Sequence, residues 1–432
     1  MVVELTCNYL LSQPNQQFTF IYPTMKKLLL LSIFSILTLT TFAQGKLQTG
    51  TWRGKLKTSS GNSLPFNFVV SGVAGKQQII IINGAERLKV TDVRSAGDSV
   101  FIHMPLFDSE FKLVKNEEGL SGKWIKHVGA KDAVMDFTAK PDENWRFFKE
   151  ASPAAYNVSG RWTAIFGEGD SRDTTVGEFK QVGNYLTGTF LTTTGDYRYL
   201  EGTVAGDSLF LSCFDGGHAF IFKAKINSND SMTDGQMYSG YSGLDHWTAI
   251  RNENAKLPDA YSLTYLKPGY KQIGFTFKDI NGKEVSLSDA RFKNKVVIVQ
   301  ILGSWCPNCM DETNYIVSRY YPKYHNKGVE VIGLVYERTT DFASSQRTLK
   351  QLKDHFNITY PLLITGYTPS RGDPQKSLPM LADFKGFPTT IIIDKKGDVR
   401  KIHTGFSGPG TGEYYTQFIN EFEKLTDDLL AE

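Results

Sequence analysis

Two textures of apolar spacing divide the chain. From 45 to 253, short apolar runs alternate with turn residues. Ile79-Ile80-Ile81-Ile82 runs into Asn83-Gly84, and Ala205-Gly206-Asp207 precedes Ser208-Leu209-Phe210-Leu211. Such runs bounded by Gly, Asn, Asp and Ser are strand and turn signals, and helical spacing is scarce there. After about 266 the pattern changes. Residues 296–302 and 329–336 read as continuous apolar strands, 389–394 leads into a hairpin turn at Lys395-Lys396-Gly397, and 342–356 carries helical spacing. In the last segment, 414–430, Phe418, Phe422, Leu425 and Leu429 fall at i, i+4, i+7 and i+11, one face of a helix. Strands alternating with helices predict an α/β domain.

The β-rich part repeats. Gly50-Thr51-Trp52 matches Gly160-Arg161-Trp162, Ala96-Gly97-Asp98 matches Ala205-Gly206-Asp207, and Phe137-Thr138-Ala139 matches Trp247-Thr248-Ala249, at offsets of 110, 109 and 110 residues. Three landmarks in one register predict two copies of one antiparallel all-β unit, each with room for roughly eight strands. A barrel or sandwich closes such a sheet and hides its edges. The Gly-x-Trp openings resemble avidin-like or lipocalin-like barrels, from which no ligand is carried over. The predicted layout is an upstream extension and signal segment over 1–43, β-unit 1 over 45–140, β-unit 2 over 159–252 and the α/β domain over 266–432. Linkers are expected at 141–158 and 252–267.

Composition adds compartment and excludes some partners. A formal charge of +3 on 432 residues, with no long basic run, gives no support for nucleic-acid binding. Met25-Lys26-Lys27, an apolar run over 28–42 and Ala43 read as the charged start, apolar centre and cleavage site of a signal peptide. The apolar run is short for a membrane-spanning helix, so cleavage after Ala43 is expected and an uncleaved anchor is the alternative. Residues 1–24, with Cys7, precede that charged start and read as an upstream extension. The mature chain then holds Cys213, Cys306 and Cys309, two of them close together and one solitary. A disulfide scaffold would carry a larger, even set, so this is the count of a redox protein.

Trp305-Cys306-Pro307-Asn308-Cys309 follows the expected strand 296–302 and opens a helical stretch. Two thiols in one helical turn can close a disulfide. The free N–H groups at a helix start stabilise thiolate on the first sulfur. Thiolate attacks a disulfide and a second thiol resolves the mixed disulfide, which assigns attack to Cys306 and resolution to Cys309. A structural zinc site needs four ligands, and no second pair stands at suitable spacing. No metal or cofactor is therefore expected. Cys213, alone in an apolar strand, reads as core; His218, Asp215 and His246 form no metal spacing.

Further residues carry a resemblance. Phe275-Thr276-Phe277, Asn281-Gly282-Lys283, Lys295-Val296-Val297-Ile298, Gly303-Ser304-Trp305-Cys306-Pro307-Asn308-Cys309 and Gly386-Phe387-Pro388-Thr389-Thr390 occur in order over the last 165 or so residues. This segment resembles the thioredoxin superfamily, in particular the exported TlpA-like and cytochrome-c-maturation thiol–disulfide oxidoreductases with a Redoxin-type domain. The resemblance implies that Pro388 is a cis-proline packed against the disulfide, with Trp305, Pro307, Asn308, Phe387 and Thr389 in support. It also marks a departure. The acid that thioredoxin carries six positions before the first cysteine is Gln300 here. Glu312, three residues after Cys309, lies where the cytochrome-maturation branch carries a catalytic glutamate. A proton acceptor for Cys309 and a solvated first-turn acid are both open readings of Glu312. Peroxidase chemistry is not expected, because Gly303 stands where peroxiredoxins carry Thr. Nor is a Sco-type copper chaperone, which carries His where this chain has Pro388; His403 is no equivalent.

The expectation is an exported, periplasmic thiol–disulfide oxidoreductase. Its partners would be envelope protein thiols and disulfides and a membrane redox protein, with membrane contact only through an uncleaved anchor. The alternative is an envelope binding protein whose β-units carry the function.

Overall fold

The first nine strands, from Gly50–Lys57 to Lys131–Pro141, form one antiparallel sheet in which the first strand pairs with both the second and the ninth. The computed structural model in which they are seen describes residues 46–128, 131–370 and 372–432. The signal segment and extension expected over 1–43 lie outside the described residues. Alternation drives the sheet. In Gln78–Asn83, Ile79 and Ile81 point into the core while Gln78 and Ile80 are half-exposed. Glu86–Val90 and Asp92–Ala96, neighbours in sequence, are not paired with each other, so this sheet is nearly closed.

The second nine-stranded sheet closes fully. Gly160–Phe166 pairs with Gly243–Arg251 on one side and Asp173–Val182 on the other, and Asp173–Val182 pairs in turn with Tyr185–Thr192. Its interior is packed with Trp162, Phe190, Phe222 and Trp247. The two sheets repeat in detail. Trp52 Nε1 donates to the Gln48 carbonyl at 2.9 Å, and Trp162 Nε1 donates to that of Val158 at 2.9 Å, donor and acceptor both displaced by 110 residues. The expected pair of antiparallel all-β units is thus one nearly closed sheet and one barrel, each with a strand more than the spacing suggested.

The sheets share a core. Phe214, on the outer face of the barrel, stacks on Phe66 of the first sheet at 4.4 Å and joins its apolar cluster. Arg146, buried in the connection between them, donates to Ser212 Oγ (2.8 Å), Asn83 Oδ1 (2.9 Å) and Glu201 Oε2 (3.0 Å). A cavity of about 20 Å³ remains among the side chains of the first sheet, too small for more than a water.

The C-terminal part is an α/β domain around a seven-stranded sheet. Val296–Leu302 is central, parallel to Val329–Val335 and antiparallel to Thr389–Ile393. Every residue of Val296–Leu302 is buried, as a strand covered on both faces must be, and its one polar member is Gln300. Helix Phe342–Phe356 begins at Asp341, whose Oδ1 accepts from Ser344 N at 2.8 Å, and ends at Asn357 in the left-handed region. Helix Glu413–Ala431 buries Phe418, Phe422 and Leu429 along one face, with Leu425 packed beside them. Helix Pro307–Tyr315 runs on through a π-turn over Ile316–Tyr320, just before Pro322, a residue that cannot donate to a helical bond. Residues 46–432 form one compact unit.

Candidate active site

Val296–Leu302 delivers the chain to Gly303, where the backbone turns and the Trp305 indole folds back over it. A β-carbon at 303 would collide with the indole Nε1. The indole is fixed by its N–H donating to the Tyr336 carbonyl at 2.9 Å and by edge contact with Phe387 at 5.4 Å. Ser304 is held by Glu337, which accepts from its backbone N at 2.9 Å and its hydroxyl at 2.8 Å. Cys306 then caps helix Pro307–Tyr315, its Sγ accepting from Cys309 N at 3.2 Å, with Pro307 at the first helical position where no N–H is needed. Cys306 and Cys309 are joined as a disulfide, their Cα atoms 5.3 Å apart.

Two strands frame this turn. Thr389–Ile393 pairs beside Val296–Leu302, with Thr389 opposite Ile301 and Thr390 opposite Gln300. The Phe387–Pro388 peptide that leads into it is cis, and Thr389 Oγ1 donates to the Gly386 carbonyl at 2.7 Å. Below the disulfide, Glu312 is only 2% exposed, which rules out the solvated first-turn reading. It accepts from Gln300 Nε2 at 2.8 Å and from Thr390 Oγ1 at 2.6 Å. Burial pushes its carboxyl up to about 7, opposed by those two hydrogen bonds. The missing acid at 300 and the glutamate at 312 are thus two ends of one contact: the Gln300 amide holds the Glu312 carboxylate.

Residues 254–417 match the family model described as Redoxin. Three curated relatives cover the same region. ResA, named a thiol-disulfide oxidoreductase, of Geobacillus thermodenitrificans is 29% identical over 131 residues, 30% of this chain and 66% of that protein. ResA of Bacillus cereus ATCC 10987 is 29% identical over 153 residues, 35% of this chain and 77% of that one. The thioredoxin-like protein YneN of Bacillus subtilis is 26% identical over 140 residues, 32% and 73%. The chain thus spans just under two thirds of the first of these and rather more of the others.

This chain carries a Redoxin domain.

Among solved structures, a putative protein disulfide isomerase of Bacteroides thetaiotaomicron is 20% identical, with 39% of this chain and 93% of that one covered and a TM-score of 0.30. A putative DsbE of Chlorobium tepidum is 23% identical, with 36% and 98% covered and a TM-score of 0.28. The β-sheets lie outside the Redoxin match.

The Redoxin domain is not bare at its disulfide. Cys306 is 3% exposed and Cys309 is fully buried. Leu106, from the first sheet, belongs to the same apolar cluster as both cysteines. Gln351 of the Redoxin domain donates to the Met104 and Pro105 carbonyls, each at 3.3 Å. Arg198 of the barrel donates to Asp311 of the cysteine helix, to the Pro307 carbonyl at 3.4 Å and to Glu86 of the first sheet. Burial pushes the Asp311 carboxyl up to about 7 against the pull of Arg198.

The remaining candidates are placed elsewhere. Cys213 is 1% exposed in the strand Ser208–Phe214, and burial pushes its thiol up. His218 contacts Asp215 at 3.2 Å, and His403 Nδ1 faces the Gly405 carbonyl at 2.9 Å. Among the described residues no three His, Cys, Asp or Glu side chains group to hold a metal ion. Sequence reasoning missed Glu337, Asp311 and Arg198. Asp311 carries a faint signal, two residues past Cys309; Arg198 carries none.

Proposed function

We propose that this chain is an exported thiol–disulfide oxidoreductase that exchanges disulfides with envelope proteins through Cys306 and Cys309. The observation that carries the reading is the Cys306–Cys309 disulfide at a helix start, with a buried carboxylate, Glu312, on the same helix three residues past Cys309. In the reducing direction the Cys306 thiolate attacks one sulfur of a substrate disulfide. That S–S bond breaks, one substrate thiolate leaves, and a mixed disulfide remains. Cys309 gives its proton to the Glu312 carboxylate and attacks Cys306 Sγ. The second substrate thiolate leaves, and Cys306–Cys309 is oxidised while the substrate gains two electrons. A membrane-bound dithiol donor would return the pair to the reduced state, and the oxidising direction runs the same steps backwards. Pro388 would shape the turn beside the sulfurs, and Trp305 with Phe387 would wall one side. Residues 25–43 would direct export; among the described residues no helix is long and apolar enough to cross a membrane.

Turnover of insulin disulfides by the full chain tests this reading. Replacing Cys306→Ser should abolish it, and full retained turnover would falsify the assignment. Equilibration with glutathione then gives the potential that sets the direction.

A further inference from the structure

Residues 193–198, between Tyr185–Thr192 and Leu200–Ala205, bring the barrel against Asn308, which stands between the two cysteines. This segment touches the cysteine helix, the turn of Pro388 and the segment 405–408, whose Gly405 N donates to the Pro388 carbonyl at 2.8 Å. Gly195, at φ +148°, lies flat on the Asn308 carboxamide, where any β-carbon would overlap it. A β-carbon at Gly386, in the turn of Pro388, would lie 2.6 Å from the Thr194 methyl, and one at Gly405 would lie 2.7 Å from the Thr193 carbonyl. Asp196 accepts from Gly408 N at 2.7 Å. Arg198 then ties Asp311 of the cysteine helix to Glu86 of the first sheet, with Asp215 of the barrel at 3.8 Å.

We infer that residues 193–198 are a plug that closes Cys306–Cys309 to protein substrates, latched by Arg198, and that a substrate enters only when the plug leaves the Redoxin domain. The inference rests on the function proposed above and adds its regulation. Burial of both cysteines points to a need for opening, since exchange requires an attacking sulfur to approach in line with the disulfide. The contact is also built to part. Asn308 Oδ1 and Arg198 Nε are buried in it with no hydrogen-bond partner among the described residues. Water would satisfy both on opening, so the closed state is held less tightly than its contact area implies. The latch joins one guanidinium to carboxylates from the first sheet, the barrel and the Redoxin domain, so its loss loosens all three together.

The test is chemical access, read apart from catalysis. The oxidised full chain is treated with dithiothreitol, and the Cys306 and Cys309 thiols released are trapped by alkylation and followed by mass. The folded wild type should be reduced about tenfold or more slowly than the same chain in denaturing urea. Arg198→Ala removes the latch, and Gly195→Ala drives the segment off Asn308. Each variant, shown folded by near-ultraviolet circular dichroism, should be reduced about tenfold faster than wild type. Folded variants reduced at the wild-type rate overturn the plug, as does a wild type reduced as fast in buffer as in urea. If neither variant folds, that wild-type comparison decides alone. Insulin turnover is scored separately: faster reduction by dithiothreitol with no turnover in any variant keeps the plug and rejects the oxidoreductase reading.

Discussion

Replacing Glu312→Gln tests the buried carboxylate through its linkage to stability. Burial raises its pKa from an ordinary 4.5 to about 7 in the folded chain. The folded state therefore holds the proton more tightly than the unfolded state. The resulting stability is full below pH 4.5 and is lost as the pH rises through about 7. Between pH 5 and pH 8 those two pKa values remove about 2–3 kcal/mol from the wild type, because the carboxylate must ionise without water. Glutamine does not titrate. It keeps a carbonyl for Gln300 Nε2, and any cost of rearranging the contact with Thr390 is the same at both pH values. The other buried carboxyls that are raised, Asp311, Asp196 and Glu337, are present in both chains and cancel in the difference. Urea unfolding of the oxidised wild type and Glu312→Gln at the two pH values measures it. The variant should gain about 2–3 kcal/mol on the wild type as the pH rises from 5 to 8. Parallel behaviour, with a change under about 0.5 kcal/mol, would mean that Glu312 is already ionised in the folded chain. It would then be unfit to take the Cys309 proton near neutral pH.

Arg146→Ala leaves Glu201 and Asn83 buried between the two sheets without their common partner, and should cost about 3–5 kcal/mol in urea unfolding. A loss under about 1 kcal/mol would show that the shared apolar core alone holds the sheets together. Gly303→Ala forces the Trp305 indole off the Tyr336 carbonyl and should cost about 1–3 kcal/mol, with a shift in tryptophan emission. Unchanged emission and stability would place the indole elsewhere.

What the sequence showed was local. Val296–Leu302 is legible because a strand buried on both faces must be apolar throughout, and Phe418, Phe422 and Leu429 because a helix must gather its apolar residues on one side. The two β-units are legible because a copied unit keeps its landmarks, even to the hydrogen bond of each opening tryptophan. How completely each unit closes was not legible. Whether Glu86–Val90 pairs with Asp92–Ala96 depends on sheet curvature, which spacing does not record. At the site, the Gln300–Glu312 contact spans a strand and a helix, so each residue alone reads as an oddity. Arg198 stands 113 residues from Asp311, and nothing near it in the chain marks it as part of the site.

That distance bears on why a Redoxin domain is joined to two β-sheets at all. Their interiors are packed with aliphatic and aromatic side chains. What they bring to the disulfide is surface. The first sheet supplies Leu106 and the carbonyls that Gln351 grips, and the barrel supplies residues 193–198. The sheets share a core and the buried Arg146, so both covers of the disulfide rest on one packed body.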